Sequence, residues 1–114
     1  MALYALVTPV YEDQASFAEL CRRLAELERE RGAEVRFHVI AVDDGSLSAP
    51  PELAALAQAG LAGEILRLAR NVGHQGAIAI GLARAASMSG LGGCVVMDCD
   101  GEDRPEEIPN LLDA

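Results

Sequence analysis

The chain has 114 residues, the length of one small domain, and 51% of them are hydrophobic, which is enough to build a core. Its 18 acidic residues outnumber nine basic ones, and the formal charge of −9 argues against a basic face for nucleic acid or anionic membranes. Three cysteines without paired spacing argue against a disulfide framework, and no apolar run approaches the ~20 residues of a membrane span, so we expect a cytoplasmic chain with no span of its own.

Strand and helix signals alternate along the chain. The strand signals lie at Leu3–Val7, Val35–Val42, Glu64–Leu68 and Cys94–Met97. Helix signals lie in FAELCRRLAELERERG, PPELAALAQAG and QGAIAIGLARAAS, and PEEIPNLLDA begins a fourth helix. Strands joined by helices pair in parallel with right-handed crossovers, so the alternation predicts an α/β fold with a doubly wound, mostly parallel sheet of about four strands.

A polar loop follows each predicted strand. In chain order these loops are TPVYED, DDGS, RNVGHQG and DCDGED. In a doubly wound sheet, ligands bind beyond the carboxyl ends of the strands, near the point where the strand order reverses. We therefore expect the four loops to gather at one edge and form the site, whereas His38 and Cys94, which lie within strand signals, are expected to pack in the core.

The last loop, in VVMDCDGEDRPEEIP, crowds acidic residues behind an apolar strand. Asp98 and Asp100 are two positions apart, so both carboxylates can face one side while Cys99 faces the other. Hard oxygen ligands of this kind suit Mg²⁺ or Mn²⁺, which share their remaining positions with water and substrate phosphates. The alternative is that Asp98 only ends a strand and Asp103 caps the next helix, and the spacing leaves both interpretations open. A zinc site at Cys99 would need more nitrogen or sulfur ligands nearby.

The other loops carry residues that suit a nucleotide, although each has a simpler explanation. Asp43 or Asp44 can accept hydrogen bonds from a base or a ribose, or can belong to an ordinary Asp-Gly turn. Tyr11 can cover a base or be a surface aromatic residue. Arg70 can pair with phosphate or with a nearby carboxylate. His74 can be a site residue, although a surface histidine at a helix start is the simpler explanation.

Other phosphate-binding motifs do not fit. A dinucleotide fingerprint requires glycines directly after the first strand, where TPVYED has none, and a P-loop requires a lysine, which the chain lacks. Response-regulator receiver domains and haloacid-dehalogenase-like phosphatases place their acidic pair after the first strand. Here the acidic pair follows the fourth strand.

Taken in order, the four loops resemble motifs of family-two glycosyltransferases with the GT-A fold, and look most like the polyprenyl-phosphate branch of the dolichol-phosphate mannose synthase type. TPVYED is similar to that family's P-x-Y-N-E region, and VDDGS to its V-D-D-G-S. RNVGHQGAIAIGL is similar to its R-N-F-G segment with the following helix, and VVMDCDGEDRPEEIP to its V-x-M-D-A-D-L-Q-D-P-P-E-x-I-P. The resemblance covers nearly the whole chain, and it implies that residues 1–114 are the nucleotide-sugar-binding part of a domain that continues beyond them.

The resemblance also implies residue roles. Residues matching the nucleotide-sugar site are Pro9, Tyr11, Asp13, Val42, Asp44, Arg70, Asp98, Cys99 and Asp100. Those matching the metal site are Asp98, Asp100 and Glu102. Within the first set, Val42 and Asp44 would contact the base, and Cys99 would lie beside the metal through its backbone. The chain departs from the family pattern by having Glu12 in place of asparagine, Asp13 in place of glutamate, Gly101-Glu102 in place of Leu-Gln and Arg104 in place of proline.

The reaction implied is transfer of a sugar, with inversion, from a UDP- or GDP-sugar, with Mg²⁺ or Mn²⁺ stabilising the leaving diphosphate. The polyprenyl-phosphate branch implies a lipid-phosphate acceptor and, for the full-length protein, a place at the cytoplasmic face of a membrane. The alternative is a non-catalytic fragment that folds and forms homo-oligomers, because a sheet without its later strands exposes an edge.

Overall fold

The structure, a computed structural model, describes residues 2–32, 34–100 and 103–108. Strands and helices alternate as predicted from the sequence. In chain order they are β1 (Ala2–Val10), α1 (Gln14–Arg31), β2 (Val35–Asp43), α2 (Leu53–Ala59), β3 (Ala62–Arg67), α3 (His74–Ala86) and β4 (Gly93–Val96). The expected fourth helix begins as a 3-10 turn at Pro105–Glu107, and most of the rest of its predicted length lies outside the described residues.

The four strands form one parallel sheet in the order β3-β2-β1-β4. From β1 the chain adds β2 and β3 on one side and then returns to place β4 on the other side. The strand order therefore reverses between β1 and β4, which confirms the doubly wound sheet and puts the expected binding position at the carboxyl ends of these two strands.

The helices cover the sheet on two faces. On one face, α1 and α2 bury a core that includes Phe17, Leu24 and Leu56 against Leu6 and Phe37. These α1 residues recur at helical spacing, which explains why the segment folds as an amphipathic helix. Residues of opposite parity in β1 and β2 face α3 and form a second, smaller core.

Helix α3 lies close to the sheet because it presents a glycine to it. A Cβ at Gly81 would lie 2.4 Å from Val7 Cγ1 and 3.1 Å from Val42 Cγ2. Gly81 is therefore required by the packing of this helix on the sheet.

The expectation that Cys94 packs in the core is wrong. Cys94 pairs with Ala5 and Val96 with Val7, so both residues lie on the face of the sheet that α3 covers. However, α3 sits over β1 and β2, and β4 is the outer strand of the described sheet, so Cys94 is exposed and Val96 is 41% exposed.

His38 in β2 is mostly buried, as expected, and its Nε2 lies 4.0 Å from Glu64 Oε1. None of the helices in the described ranges combines the length and apolarity needed to span a bilayer.

Candidate functional site

Two adjoining clefts open at the carboxyl edge of the sheet, around the reversal in strand order. The first, of about 270 Å³, is here called the Asn71 cleft, and it is lined by Pro9, Val10, Tyr11, Asp44, Asn71, Gly73 and His74. The second, of about 150 Å³, is here called the Asp98 cleft, and it is lined by Pro9, Tyr11, Asp13, His74, Asp98, Cys99 and Asp100. Because Pro9, Tyr11 and His74 belong to both, the clefts form one continuous surface.

In the Asn71 cleft, Asp44 is held by the loop between β3 and α3. Asp44 is only 4% exposed, and its Oδ1 accepts a hydrogen bond from the Val72 N–H at 2.7 Å. The Asn71 amide Nδ2 donates to the Asp44 carbonyl at 3.1 Å, and Asn71 Oδ1 accepts from the Gly73 N–H at 3.1 Å. These bonds fix the wall of the cleft and orient Asp44 within it.

Gly45 allows the loop after β2 to approach the loop between β3 and α3. Its φ of +86° is a left-handed conformation, and a Cβ there would lie 2.7 Å from the backbone carbonyl carbon of Arg70. The backbone of Arg70 is thus in close contact with the turn. The Arg70 side chain is exposed and is not among the residues that line either cleft.

The two neighbouring aspartates at the end of β2 have different roles. Asp43 is 1% exposed, and its carboxylate accepts from the Ser46 N–H at 2.9 Å and from Arg67 Nε at 3.2 Å. It therefore stabilises the turn, whereas Asp44 faces the cleft. The sequence leaves this choice open, since both follow the same apolar strand.

In the Asp98 cleft, Asp98 is held from two sides. Its Oδ1 lies 2.7 Å from His74 Nε2, and its backbone N–H donates to Asp103 Oδ2 at 2.9 Å. Partial burial raises the pKa of Asp98 above its ordinary value, the charge of His74 opposes that rise, and the charges of Asp100 and Asp103 add to it. Asp103 therefore supports the acidic loop, and in the described residues it makes no side-chain cap to the following 3-10 turn.

Cys99 turns away from its acidic neighbours. Its Sγ is 4.0 Å from the Pro9 carbonyl oxygen, and the residue packs partly against the core under α1. Burial, with the nearby negative charge of Asp13, raises the pKa of the Cys99 thiol to about 11. The thiol is therefore protonated at neutral pH, which leaves the flanking carboxylates as the groups suited to a hard cation.

Tyr11 and Asp13 lie between β1 and α1 and also line the site. Tyr11 is 56% exposed and contributes to both clefts. Asp13 is the N-cap of α1, where its Oδ1 accepts from the Ser16 N–H at 3.1 Å, and it also lines the Asp98 cleft. The start of α1 thus fixes the loop that carries both residues.

The donor set fits a divalent cation that is shared with a ligand. Asp98 and Asp100 line the same cleft, and burial together with neighbouring negative charge already disfavours ionised Asp98. Within the described ranges, no group of three or more His, Cys, Asp or Glu side chains could hold a metal by itself. Mg²⁺ is commonly bound in this manner, through one or two carboxylates plus phosphate and water. The third expected ligand, Glu102, lies outside the described residues.

Most of the predicted site residues come together at this edge. They are Pro9, Tyr11, Asp13, Asp44, Asp98, Cys99 and Asp100. Val42 is fully buried in the smaller core under α3 and lines neither cleft, so its contact with a base stays a prediction. Sequence reasoning missed Asn71 and undervalued His74. The signal available for both was their place in RNVGHQG, directly after a strand.

Comparison with known proteins finds a matching family model and similar sequences. The family model described as Glycosyl transferase family 2 matches residues 5–114. Undecaprenyl-phosphate 4-deoxy-4-formamido-L-arabinose transferase of Pseudomonas paraeruginosa is 37% identical over 113 residues, covering 97% of this chain and 32% of that protein. The Aeromonas hydrophila protein of the same name is 34% identical over 116 residues, covering 98% of this chain and 33% of that protein. The chain thus spans about a third of the length of the curated relatives it matches.

A solved structure shares the fold. The crystal structure of S. aureus TarS aligns with a TM-score of 0.66 and 20% sequence identity, covering 99% of this chain and 19% of that chain. At this identity the likeness concerns the fold alone, and it confirms the GT-A fold expected from the motifs.

Proposed function

Because the chain belongs to glycosyl transferase family 2, as its four ordered motifs predicted, we propose that it is the donor-binding part of a glycosyltransferase. The donor is a nucleoside diphosphate sugar, UDP- or GDP-linked, and the acceptor is a polyprenyl phosphate. The relatives' names support the acceptor, since they are transferases named for undecaprenyl phosphate, the branch that the motifs indicated. Such a lipid acceptor would place the full-length protein at the cytoplasmic face of a membrane.

The observation that carries the proposal is the continuity of the two clefts. Asp44 and Asp98 end different strands, yet both face one surface that Tyr11 and His74 join. In the Asn71 cleft, the Tyr11 ring can cover a base, and Asp44 can accept its N–H groups or ribose hydroxyls. One nucleotide can therefore extend from the Asn71 cleft to the acidic loop.

The acidic loop would bind the diphosphate through a metal ion. Asp98 and Asp100, with Glu102 beside them in sequence, would hold Mg²⁺ or Mn²⁺, which when bound neutralises the charge that develops on the leaving diphosphate. Without a cation, the carboxylates of this cleft would repel the diphosphate. His74 keeps Asp98 at the cleft by its 2.7 Å contact, and Asp103 keeps the backbone of the loop in place.

Transfer would occur by direct displacement at the anomeric carbon, with inversion. The new bond forms from a phosphate oxygen of the acceptor, and the bond to the nucleoside diphosphate breaks. A phosphate acceptor is already an anion, so this displacement needs no strong general base from the chain. For this reaction, the main role of these residues is to bind the donor in the orientation that allows displacement.

Calorimetric titration tests the proposal. UDP or GDP should bind in the presence of Mn²⁺, and binding should weaken by about tenfold or more in Asp98→Ala and Asp100→Ala, the range expected for loss of a charged ligand. Glu26→Ala is the matched control, because it removes one exposed carboxylate on α1 that pairs with Arg22 and lines neither cleft. Absence of binding by either nucleotide, with or without Mn²⁺, would contradict the proposal.

The second candidate is a non-catalytic fragment that self-associates. It is favoured by β4, whose exposed Cys94 and Val96 leave part of one sheet face uncovered in the described structure. The same titration separates the candidates, since this one requires no nucleotide binding.

A further inference from the structure

Glu12 has a backbone conformation that its side chain alone does not favour. Its φ is 51°, and it is the one non-glycine residue with positive φ among those the structure describes. This left-handed region is costly for residues with a Cβ and is adopted mostly by glycine, asparagine and aspartate. Surrounding contacts must therefore hold Glu12 in place.

Those contacts all come from the loop after β2. The Glu12 N–H donates to Ser46 Oγ at 2.7 Å. Its carboxylate accepts three backbone N–H groups, those of Leu47 at 2.9 Å, Ser48 at 2.9 Å and Ala49 at 2.6 Å. The bonded residues are 34 to 37 positions apart in sequence, so Glu12 joins two separate loops.

Both loops contribute residues to the lining of the Asn71 cleft, Tyr11 from the first and Asp44 from the second. Glu12 lies between Tyr11 and Asp13, and the Leu47–Ala49 segment continues the loop that begins at Asp44. Glu12 itself is not among the residues lining either cleft. Its carboxylate is directed at backbone donors, so it adds no further acidic side chain to a surface that already presents Asp44, Asp98 and Asp100.

We propose that Glu12 is a positioning residue for the donor: its carboxylate latches the loop after β1 to the loop after β2 and so sets the separation of Tyr11 and Asp44. The assignment rests on the proposed nucleotide binding, since it is the base or ribose that would sense this separation. When the two loops are already held in position, less conformational entropy is lost as the nucleotide binds. Loss of the Glu12 contacts would increase this entropic cost.

The test combines amide hydrogen exchange with nucleotide titration in Mn²⁺, using Glu12→Ala and Glu12→Asn. Leu47 is 91% exposed and Ser48 is also exposed, so slow exchange of these two amides reports their bonds to Glu12 and not burial of the loop. In Glu12→Ala we expect faster exchange of these amides and about tenfold weaker UDP or GDP binding. Glu12→Asn should recover part of both, because asparagine tolerates the left-handed region and retains a side-chain acceptor. Glu26→Ala, the matched charge control, should leave both unchanged.

Three results would overturn the assignment, each at a different step. Unchanged amide exchange in Glu12→Ala would refute the latch. Faster exchange with unchanged affinity would refute the positioning role while the proposed function stands. Failure of the unmodified chain to bind UDP or GDP would refute the proposed function and the positioning role with it, and the exchange data would still decide the latch. Should Glu12→Ala not fold, Glu12→Gln, which removes the charge at constant length, provides the same comparison.

Discussion

Glu12 makes a contribution to stability that depends on pH. Hydrogen bonds from the backbone of Leu47 and Ala49, with a lesser effect of Ser48, hold the pKa of its carboxyl below the ordinary value against the opposing effect of desolvation. A lowered folded-state pKa stabilises the fold above the unfolded pKa of about 4.3, and this stabilisation is lost as pH falls through the folded value. The unfolding free energies of the unmodified chain and Glu12→Gln should therefore converge as pH falls below about 4.3. Denaturant unfolding across pH 3 to 7, roughly the range of carboxyl titration, measures this, and a difference independent of pH would contradict it.

The sequence identifies residue types that suit the site, but it does not show which of two similar neighbouring residues faces the cleft. Asp43 and Asp44 are chemically alike and follow one strand, and only the fold shows that Asp43 is bonded to Ser46 and Arg67. His74 could not be assigned from its helix-start position, because its partner Asp98 is 24 residues away. Long-range contacts of this kind leave no local pattern.

Among the elements, α3 depends most directly on one residue. Replacing Gly81 by alanine would put a Cβ 2.4 Å from Val7 Cγ1, in a core that is already filled. The helix must then shift, so we expect Gly81→Ala to destabilise the protein by about 1–3 kcal/mol, even though alanine favours helices. Gly76→Ala is the control on the same helix: its Cβ would lie 3.1 Å from Cγ2 of Val72, a 43% exposed residue that can move. Thermal unfolding of both variants measures the difference, and equal stability would contradict the packing account.

Element type and order follow from sequence because they depend on local periodicity. The amphipathic pattern of α1 and the apolar run of β2 are sufficient for this, and the observed Gln14–Arg31 and Val35–Asp43 agree with the predicted segments. The exposure of Cys94 could not be predicted in the same way. It depends on the strand order and on α3 covering β1 and β2, which are properties of the assembled sheet.

For the whole molecule, the uncovered face of β4 predicts self-association. Val96 is 41% exposed beside exposed Cys94, and an outer strand with apolar side chains is prone to pair with another chain. Val96→Thr keeps the β-branched shape and reduces apolarity, so it should shift the population toward monomer. Sedimentation velocity over a range of concentrations measures this shift. If the chain is monomeric at every concentration, with or without the substitution, this surface does not cause self-association.

We propose that the Asn71 cleft and the Asp98 cleft bind one nucleoside diphosphate together. NMR titration of the labelled chain with UDP or GDP and Mg²⁺ tests it most directly, because backbone amides report on each cleft separately. We predict that the amides of Asp44 and Val72 and those of Asp98 and Asp100 shift along a single binding curve. In Asp98→Ala the curve should move to higher nucleotide concentration. Shifts confined to the groove between α1 and α2, around Ala18 and Ala55, or no shifts with either nucleotide, would contradict the account.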